Sequence, residues 1–150
     1  MNKVAPGLSV IFKKAALPKI ARKILRQIRP GDVLALKGEL AAGKTALTQA
    51  LLKMMGSPAK VTSPTFVLEK HYPVKYHGIN EVVHLDFYRV GAGELKSFGW
   101  PEYLGRPRTL TIIEWPSRAK KFLPVNLKQV SLEIIDEQTR RLTFQENFGR

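Results

Sequence analysis

The residues best suited to chemistry form one motif, Gly-Glu-Leu-Ala-Ala-Gly-Lys-Thr at positions 38 to 45. This glycine spacing, closed by a Lys-Thr pair, is typical of a loop that wraps the phosphates of a nucleoside triphosphate. Gly38 and Gly43 let the backbone turn and approach the phosphates, and Lys44 is expected to contact the β- and γ-phosphates while Thr45 places its hydroxyl on Mg²⁺. The predicted nucleotide-binding residues of the loop are Gly38, Glu39, Leu40, Ala41, Ala42, Gly43, Lys44 and Thr45.

Two carboxylates are candidates for a second Mg²⁺ contact. Asp86 and Glu114 directly follow the mainly apolar runs 82–85 and 110–113, which predict buried strands. A strand would deliver its terminal acid to the edge of the sheet beside the phosphate loop. The argument applies equally to both residues, so the sequence pattern does not rank them.

The elements that must position these groups are also predictable. Residues 33–36 fit a buried strand before the loop, and apolar residues recur at helical spacing from Thr45 to Gly56. A second amphipathic helix is predicted over 16–28, and alternating apolar residues on both sides of 136–139 predict a closing hairpin. We therefore expect an α/β, three-layer P-loop NTPase fold, with a mostly parallel central sheet flanked by helices and a C-terminal antiparallel hairpin.

Length and composition limit the protein classes. The 150 residues, 44% of them hydrophobic, predict a single domain over 1–150, and the phosphate loop predicts that it is a P-loop ATPase domain. The absence of cysteine excludes disulfides and thiolate zinc sites, so a metal would be a hard ion held by oxygen. Without a signal peptide or a long apolar run, the expected location is cytoplasmic.

The charge is strongly positive, with 25 Lys and Arg against 12 Asp and Glu and a formal net charge of +13. Eight basic residues and no acidic residue occur up to Arg29. This excess favours polyanionic partners such as a nucleotide, RNA or an acidic protein, although a solvated helix face has the same composition.

A further hydroxyl-rich segment, Thr62-Ser63-Pro64-Thr65-Phe66, follows the helix after the loop. Related folds keep a segment that senses the γ-phosphate in this region, and these hydroxyls are suited to that task. Taken alone, the same string is an ordinary polar turn in which Pro64 holds Ser63 extended.

Together these landmarks resemble the TsaE family, bacterial ATPases of tRNA threonylcarbamoyladenosine biosynthesis. The resemblance covers roughly residues 31–124 and is carried by a series of motifs. They are the loop at 38–45, Thr62-Ser63-Pro64-Thr65-Phe66, His84-Leu85-Asp86-Phe87-Tyr88-Arg89, Glu94-Leu95 with Gly99, and Ile113-Glu114-Trp115-Pro116.

The resemblance implies a weak Mg²⁺-dependent ATPase that supports repeated turnover by two partners, the TsaB-like and TsaD-like subunits that transfer the threonylcarbamoyl group to tRNA. It also implies ATP and Mg²⁺ as cofactors, with Thr45 and Glu114 on the metal. Lys44, Asp86 and Thr65 would be the catalytic groups, Asp86 by organising the attacking water. Thr65 and Trp115 would flank the nucleotide.

One position departs from the family pattern. Ala41 stands where the family usually has glycine, so any need for a positive φ there would bring steric strain and lower the affinity for ATP. Two other functions remain open: an RNA-binding nucleotide switch using the basic helix, and a small-molecule P-loop kinase. The kinase would need an arginine-rich lid, which is not evident, and a GTPase would need an Asn-Lys-x-Asp motif, which is absent.

Overall fold

The described residues form a sheet of seven strands in the order β1-β7-β6-β2-β5-β4-β3. A computed structural model describes residues 8–58, 60–61, 69–91, 94, 99–124 and 127–145. The strands are β1 (Leu8–Lys13), β2 (Val33–Gly38), β3 (Glu69–Tyr76), β4 (Ile79–Asp86), β5 (Thr109–Glu114), β6 (Lys128–Ile134) and β7 (Thr139–Gln145).

Parallel pairing is confined to the four central strands, β6-β2-β5-β4. The pairs β1–β7, β6–β7 and β3–β4 are antiparallel. The expectation of a mostly parallel sheet is therefore wrong, because β3–β4 and β6–β7 are hairpins that need no crossover helix and β1 pairs antiparallel with β7. The predicted C-terminal hairpin is confirmed, with β6 and β7 joined through residues 135–138.

In the described part of the chain, two α-helices cover one face of the sheet: α1 (Leu17–Leu25) and α2 (Lys44–Met54). The helix α1 lies within its predicted segment, and α2 begins one residue before its predicted segment and ends inside it. Apolar side chains of α1, including Ile20 and Ile24, pack with Leu47 and Leu51 of α2 over inward-facing residues of the central strands such as Leu34. This packing fixes the start of α2, and with it the phosphate loop, above the carboxyl ends of β2, β4 and β5.

The opposite face has a smaller core in which Trp100 and Phe87 pack beside Val83 and Ile113. Within the described ranges, the cover here consists of two 3₁₀ segments, Trp100–Tyr103 and Pro116–Phe122, instead of α-helices. The three layers are thus present, but one outer layer lacks the predicted α-helices.

The hairpin formed by β3 and β4 is absent from the sequence-based prediction. Its two-residue turn, His77-Gly78, has φ values of 41° and 87°, the positive pair that a type I′ turn requires. Only β4 carries a clear apolar run, while β3 contains Pro73 and is buried at alternate positions. No helix in the described part of the chain has the length and apolar character needed to cross a membrane.

Candidate functional site

The phosphate loop leaves β2 at Gly38 and enters α2 at Gly43. Gly38 has a φ of 156°, and a Cβ there would lie 2.8 Å from the carbonyl oxygen of Leu132 on β6. That distance is too short for any side chain, so close packing of β6 against the loop requires glycine. Gly43 has a φ of 110° and precedes the first residue of α2. The predicted strand, loop and helix are therefore confirmed.

Ala41 adopts the conformation that the sequence marked as costly. Its φ is 66°, in the left-handed region where a Cβ crowds the following carbonyl at roughly 1–2 kcal/mol. The side chain is exposed, so packing does not offset this strain. The phosphate loop therefore contains one strained residue.

Lys44 lies across the concave side of the loop. Its Nζ donates a 2.5 Å hydrogen bond to the carbonyl oxygen of Gly38 and lies 3.7 Å from the ring centroid of Trp115. Burial lowers the pKa of the Lys44 ammonium, and the nearby carboxylates of Glu114 and Asp86 oppose that shift. The lysine is thus a buried cation held between the loop and two acids, where further negative charge would stabilise it.

The two predicted acids are neighbours. Asp86 and Glu114 pair directly at the ends of the parallel strands β4 and β5, and both are buried. Glu114 also pairs with Leu36 of β2, so it lies one strand from the loop, whereas Asp86 lies two strands away. Asp86 Oδ1 accepts a 2.9 Å hydrogen bond from the backbone N–H of Tyr88, which holds its carboxylate at the strand end.

A buried histidine adjoins these acids. His84 Nε2 lies 2.6 Å from Glu114 Oε2, and His84 Nδ1 has no hydrogen-bond partner in the described part of the chain. His84 lies two residues before Asp86, so both side chains are on the same face of β4. That spacing was the available signal for a role of His84, which the sequence-based prediction did not include.

Trp115 lies beside Lys44 at the phosphate loop. It has a φ of 58° directly after β5, an uncommon conformation for a bulky residue. This turn places the indole beside Lys44 and at 4.9 Å, between centroids, from the ring of Tyr88. Strain of this kind is often found at functional sites.

Arg140 of β7 forms hydrogen bonds that hold the phosphate loop in place. Its Nε donates to the carbonyl oxygen of Ala42 at 3.2 Å, and its Nη1 donates to the carbonyl oxygens of Asp136 at 2.7 Å and Thr139 at 3.0 Å. The side chain is only 6% exposed. No local pattern marks this arginine, because its contact spans 98 residues of sequence.

These groups line a cavity of about 650 Å³, a volume within the range of small-molecule sites. The lining includes Lys44, Thr45, Asp86, Glu114 and Trp115, together with Phe12, Lys14, Leu17, Leu132 and Arg140. The lining also includes Leu40, Ala41, Ala42 and Gly43, whereas Gly38 and Glu39 line a separate, smaller cavity. The predicted Thr65 and its segment 62–66 lie outside the described residues.

The donor set fits Mg²⁺ in its usual mode. In the described chain no cluster of three or more His, Asp or Glu side chains could hold a metal by itself. Mg²⁺ rarely uses such a cage, because it keeps several waters and binds one or two carboxylates together with substrate phosphates. Thr45, Glu114 and Asp86 all line the cavity, and their hydroxyl and carboxylate groups are oxygen donors of this kind.

Comparison with known proteins gives consistent results. The family profile "Threonylcarbamoyl adenosine biosynthesis protein TsaE" matches residues 11–143. The tRNA threonylcarbamoyladenosine biosynthesis protein TsaE of Bacillus subtilis is 32% identical over 125 residues, 83% of this chain and 76% of the relative. The protein of the same name from Aquifex aeolicus is 32% identical over 126 residues, covering 83% and 84%. The crystal structure of Bacillus subtilis YdiB aligns with a TM-score of 0.79 at 26% identity, covering 98% of this chain and 89% of that one.

Proposed function

The chain belongs to the TsaE family of threonylcarbamoyl adenosine biosynthesis proteins, and on that basis we propose that it binds and hydrolyses ATP with Mg²⁺ in support of tRNA modification. The observation that carries the proposal is the convergence of Lys44, Asp86 and Glu114 at the phosphate loop. A buried lysine between two carboxylates, beside a nucleotide-sized cavity, is suited to a triphosphate and a divalent cation.

The two carboxylates have different roles in this proposal. Glu114 lies on the strand next to β2 and, with Thr45, holds the metal, whose charge offsets that of the β- and γ-phosphates. Asp86, one strand farther away, orients the water that attacks the γ-phosphorus. The bond between the γ-phosphorus and the bridging oxygen breaks, and ADP and inorganic phosphate leave. Lys44 and the loop N–H groups stabilise the phosphate charge during this step.

The proposed site binds the nucleotide in a defined orientation. The phosphates lie against residues 40–45, and the base extends toward Phe12, Lys14 and Leu17, where β1 leads into α1. The apolar side chains there favour an aromatic ring, while Lys14 and Arg140 provide hydrogen-bond donors. Trp115 covers the phosphate end, and Thr65 completes the catalytic set.

The proposed partners are the TsaB-like and TsaD-like subunits that transfer the threonylcarbamoyl group. ATP binding and hydrolysis by this protein would allow those subunits to act on tRNA repeatedly, without this chain touching the transferred group. Repeated turnover is therefore the quantity that depends on the nucleotide site.

The decisive experiment is tRNA modification reconstituted from purified partners, with wild-type protein or with Lys44→Ala. We expect the variant to support the first round of transfer but to lose multiple-turnover yield, and to bind Mg-ATP much more weakly. Lys37→Ala, which removes an exposed lysine from β2, is the matched control and should behave as wild type. Multiple-turnover yield that did not change when this protein was omitted would refute the proposal.

A further inference from the structure

A second cleft of about 630 Å³ lies between the C-terminal parts of α1 and α2 and the β3–β4 turn. Its walls include Arg22 and Arg26 from α1 and the segment that follows it, Met54 from α2, and Tyr76 and His77 from the hairpin. None of these residues lines the nucleotide cavity. The backbone N–H of Lys75 bonds the carbonyl oxygen of Met55 at 3.0 Å, which ties the hairpin to the end of α2.

The surface around this cleft is positively charged without compensation. Residues 14–29 contain six Lys and Arg and no Asp or Glu, and α2 has no acidic residue either. Arg22 and Arg26 are exposed, and neither forms an ion pair with a carboxylate of the described chain. Basic residues in the last turn of a helix complement its dipole, but Lys19 lies in the first turn, where the dipole disfavours a cation. Helix stability therefore does not explain the whole charge run.

Two aromatic rings line the same cleft as Arg22 and Arg26. The ring centroids of Tyr76 and His77 are 4.4 Å apart, and His77 is exposed at the tip of the turn with a φ of 41°. In the sequence these rings are about fifty residues from Arg22 and Arg26, and only the fold brings them to the same cleft. Arginine in a cleft with an exposed aromatic ring is a combination that contacts phosphates and stacks bases in single-stranded nucleic acid.

We propose that this cleft binds single-stranded RNA, with Arg22 and Arg26 on backbone phosphates and His77 against a base. An acidic protein surface would match the charge but would make no use of the aromatic pair, and the cleft has room for a nucleobase. This RNA site goes beyond the proposed ATPase function and is separate from the nucleotide cavity.

Fluorescence anisotropy with a labelled RNA oligonucleotide of roughly 10 nucleotides tests the site, measured without ATP over a series of salt concentrations. A tRNA transcript serves as a second probe. We expect Arg22→Gln/Arg26→Gln to lower the slope of log affinity against log salt by about 1.4, or 0.7 for each lost phosphate contact. His77→Asn keeps a residue favoured in the turn but removes the ring, so it should weaken binding by roughly 5-fold or more with little change in slope.

Arg118→Gln/Lys121→Gln is the matched control, since it removes the same charge from exposed positions of another segment and should retain wild-type affinity. Lys44→Ala should also bind RNA as wild type does, so failure of the ATPase proposal would not affect this result. Equal losses in the two double variants would mean diffuse attraction and would overturn the proposal. Displacement of the RNA by poly-glutamate, with full affinity in His77→Asn, would instead assign the cleft to an acidic protein.

Discussion

His84 Nε2 and Glu114 Oε2 lie 2.6 Å apart in a pair that is almost completely buried. Glu114 ends the strand beside the phosphate loop, and His84 reaches it from the neighbouring strand β4. A carboxylate with a buried hydrogen-bond partner has a restricted orientation, and such partners of metal ligands tune metal affinity.

Replacing that histidine therefore tests the metal assignment of Glu114. We expect His84→Gln to weaken the Mg²⁺ dependence of ATP binding by about 10- to 100-fold while leaving binding of metal-free ATP nearly unchanged. Calorimetric titrations with and without Mg²⁺ separate the two quantities, and a thermal melt identifies any loss of fold. Equal weakening with and without the metal would show that His84 acts on the structure instead of on the metal site.

Neutralising Asp86 and neutralising Glu114 are predicted to affect different steps, hydrolysis in the first case and Mg²⁺-dependent ATP binding in the second. Asp86→Asn should keep Mg-ATP affinity but lose about 100-fold or more in hydrolysis, because water positioning matters only during the chemical step. Glu114→Gln should mainly lose Mg²⁺-dependent affinity. Binding measurements combined with single-turnover hydrolysis distinguish the two. Negligible effects of both substitutions would show that these carboxylates do not form the ATPase site.

Arg140 should be important for both stability and nucleotide binding. Arg140→Met removes the charged hydrogen bonds to the carbonyl oxygens of Ala42, Asp136 and Thr139, so we expect about 2–3 kcal/mol less unfolding free energy and weaker ATP binding. Urea unfolding and nucleotide titration measure these losses.

The neighbouring residue supplies the control for that experiment. Arg141 is partly exposed and pairs with Glu133 at 3.2 Å, and such surface pairs contribute about 0–1 kcal/mol. Arg141→Met should therefore unfold at nearly the wild-type urea concentration. If both arginine variants lost the same stability, the hydrogen bonds of Arg140 to the phosphate loop would not contribute more than an ordinary surface pair.

Ala41 offers a gain instead of a loss. Ala41→Gly removes the Cβ that is strained at a φ of 66°. Glycine also loses more backbone entropy on folding, so the net gain that we expect is about 0.5–1 kcal/mol of stability, together with tighter ATP binding. Ala46→Gly is the control, because glycine inside α2 should cost about 1 kcal/mol. A loss of stability in both variants would show that Ala41 is not strained.

The sequence by itself determined the elements whose information is local. Glycine spacing and apolar periodicity predicted the phosphate loop with its flanking strand and helix. Short apolar runs predicted the strands that end at Asp86 and Glu114. Even the strain at Ala41 was readable, because it depends on one residue type at one loop position. The family motifs then pointed to tRNA threonylcarbamoyladenosine biosynthesis.

Only the tertiary structure decided which distant residues meet. The antiparallel edges depend on β1 and β3, whose sequences carry weak strand signals, so the predicted mostly parallel sheet was wrong. The contact of Arg140 with Ala42, the pair of His84 with Glu114, and the cleft joining Arg22 to His77 all link residues far apart in the chain. Such contacts follow from sheet order and helix packing, which no local pattern encodes.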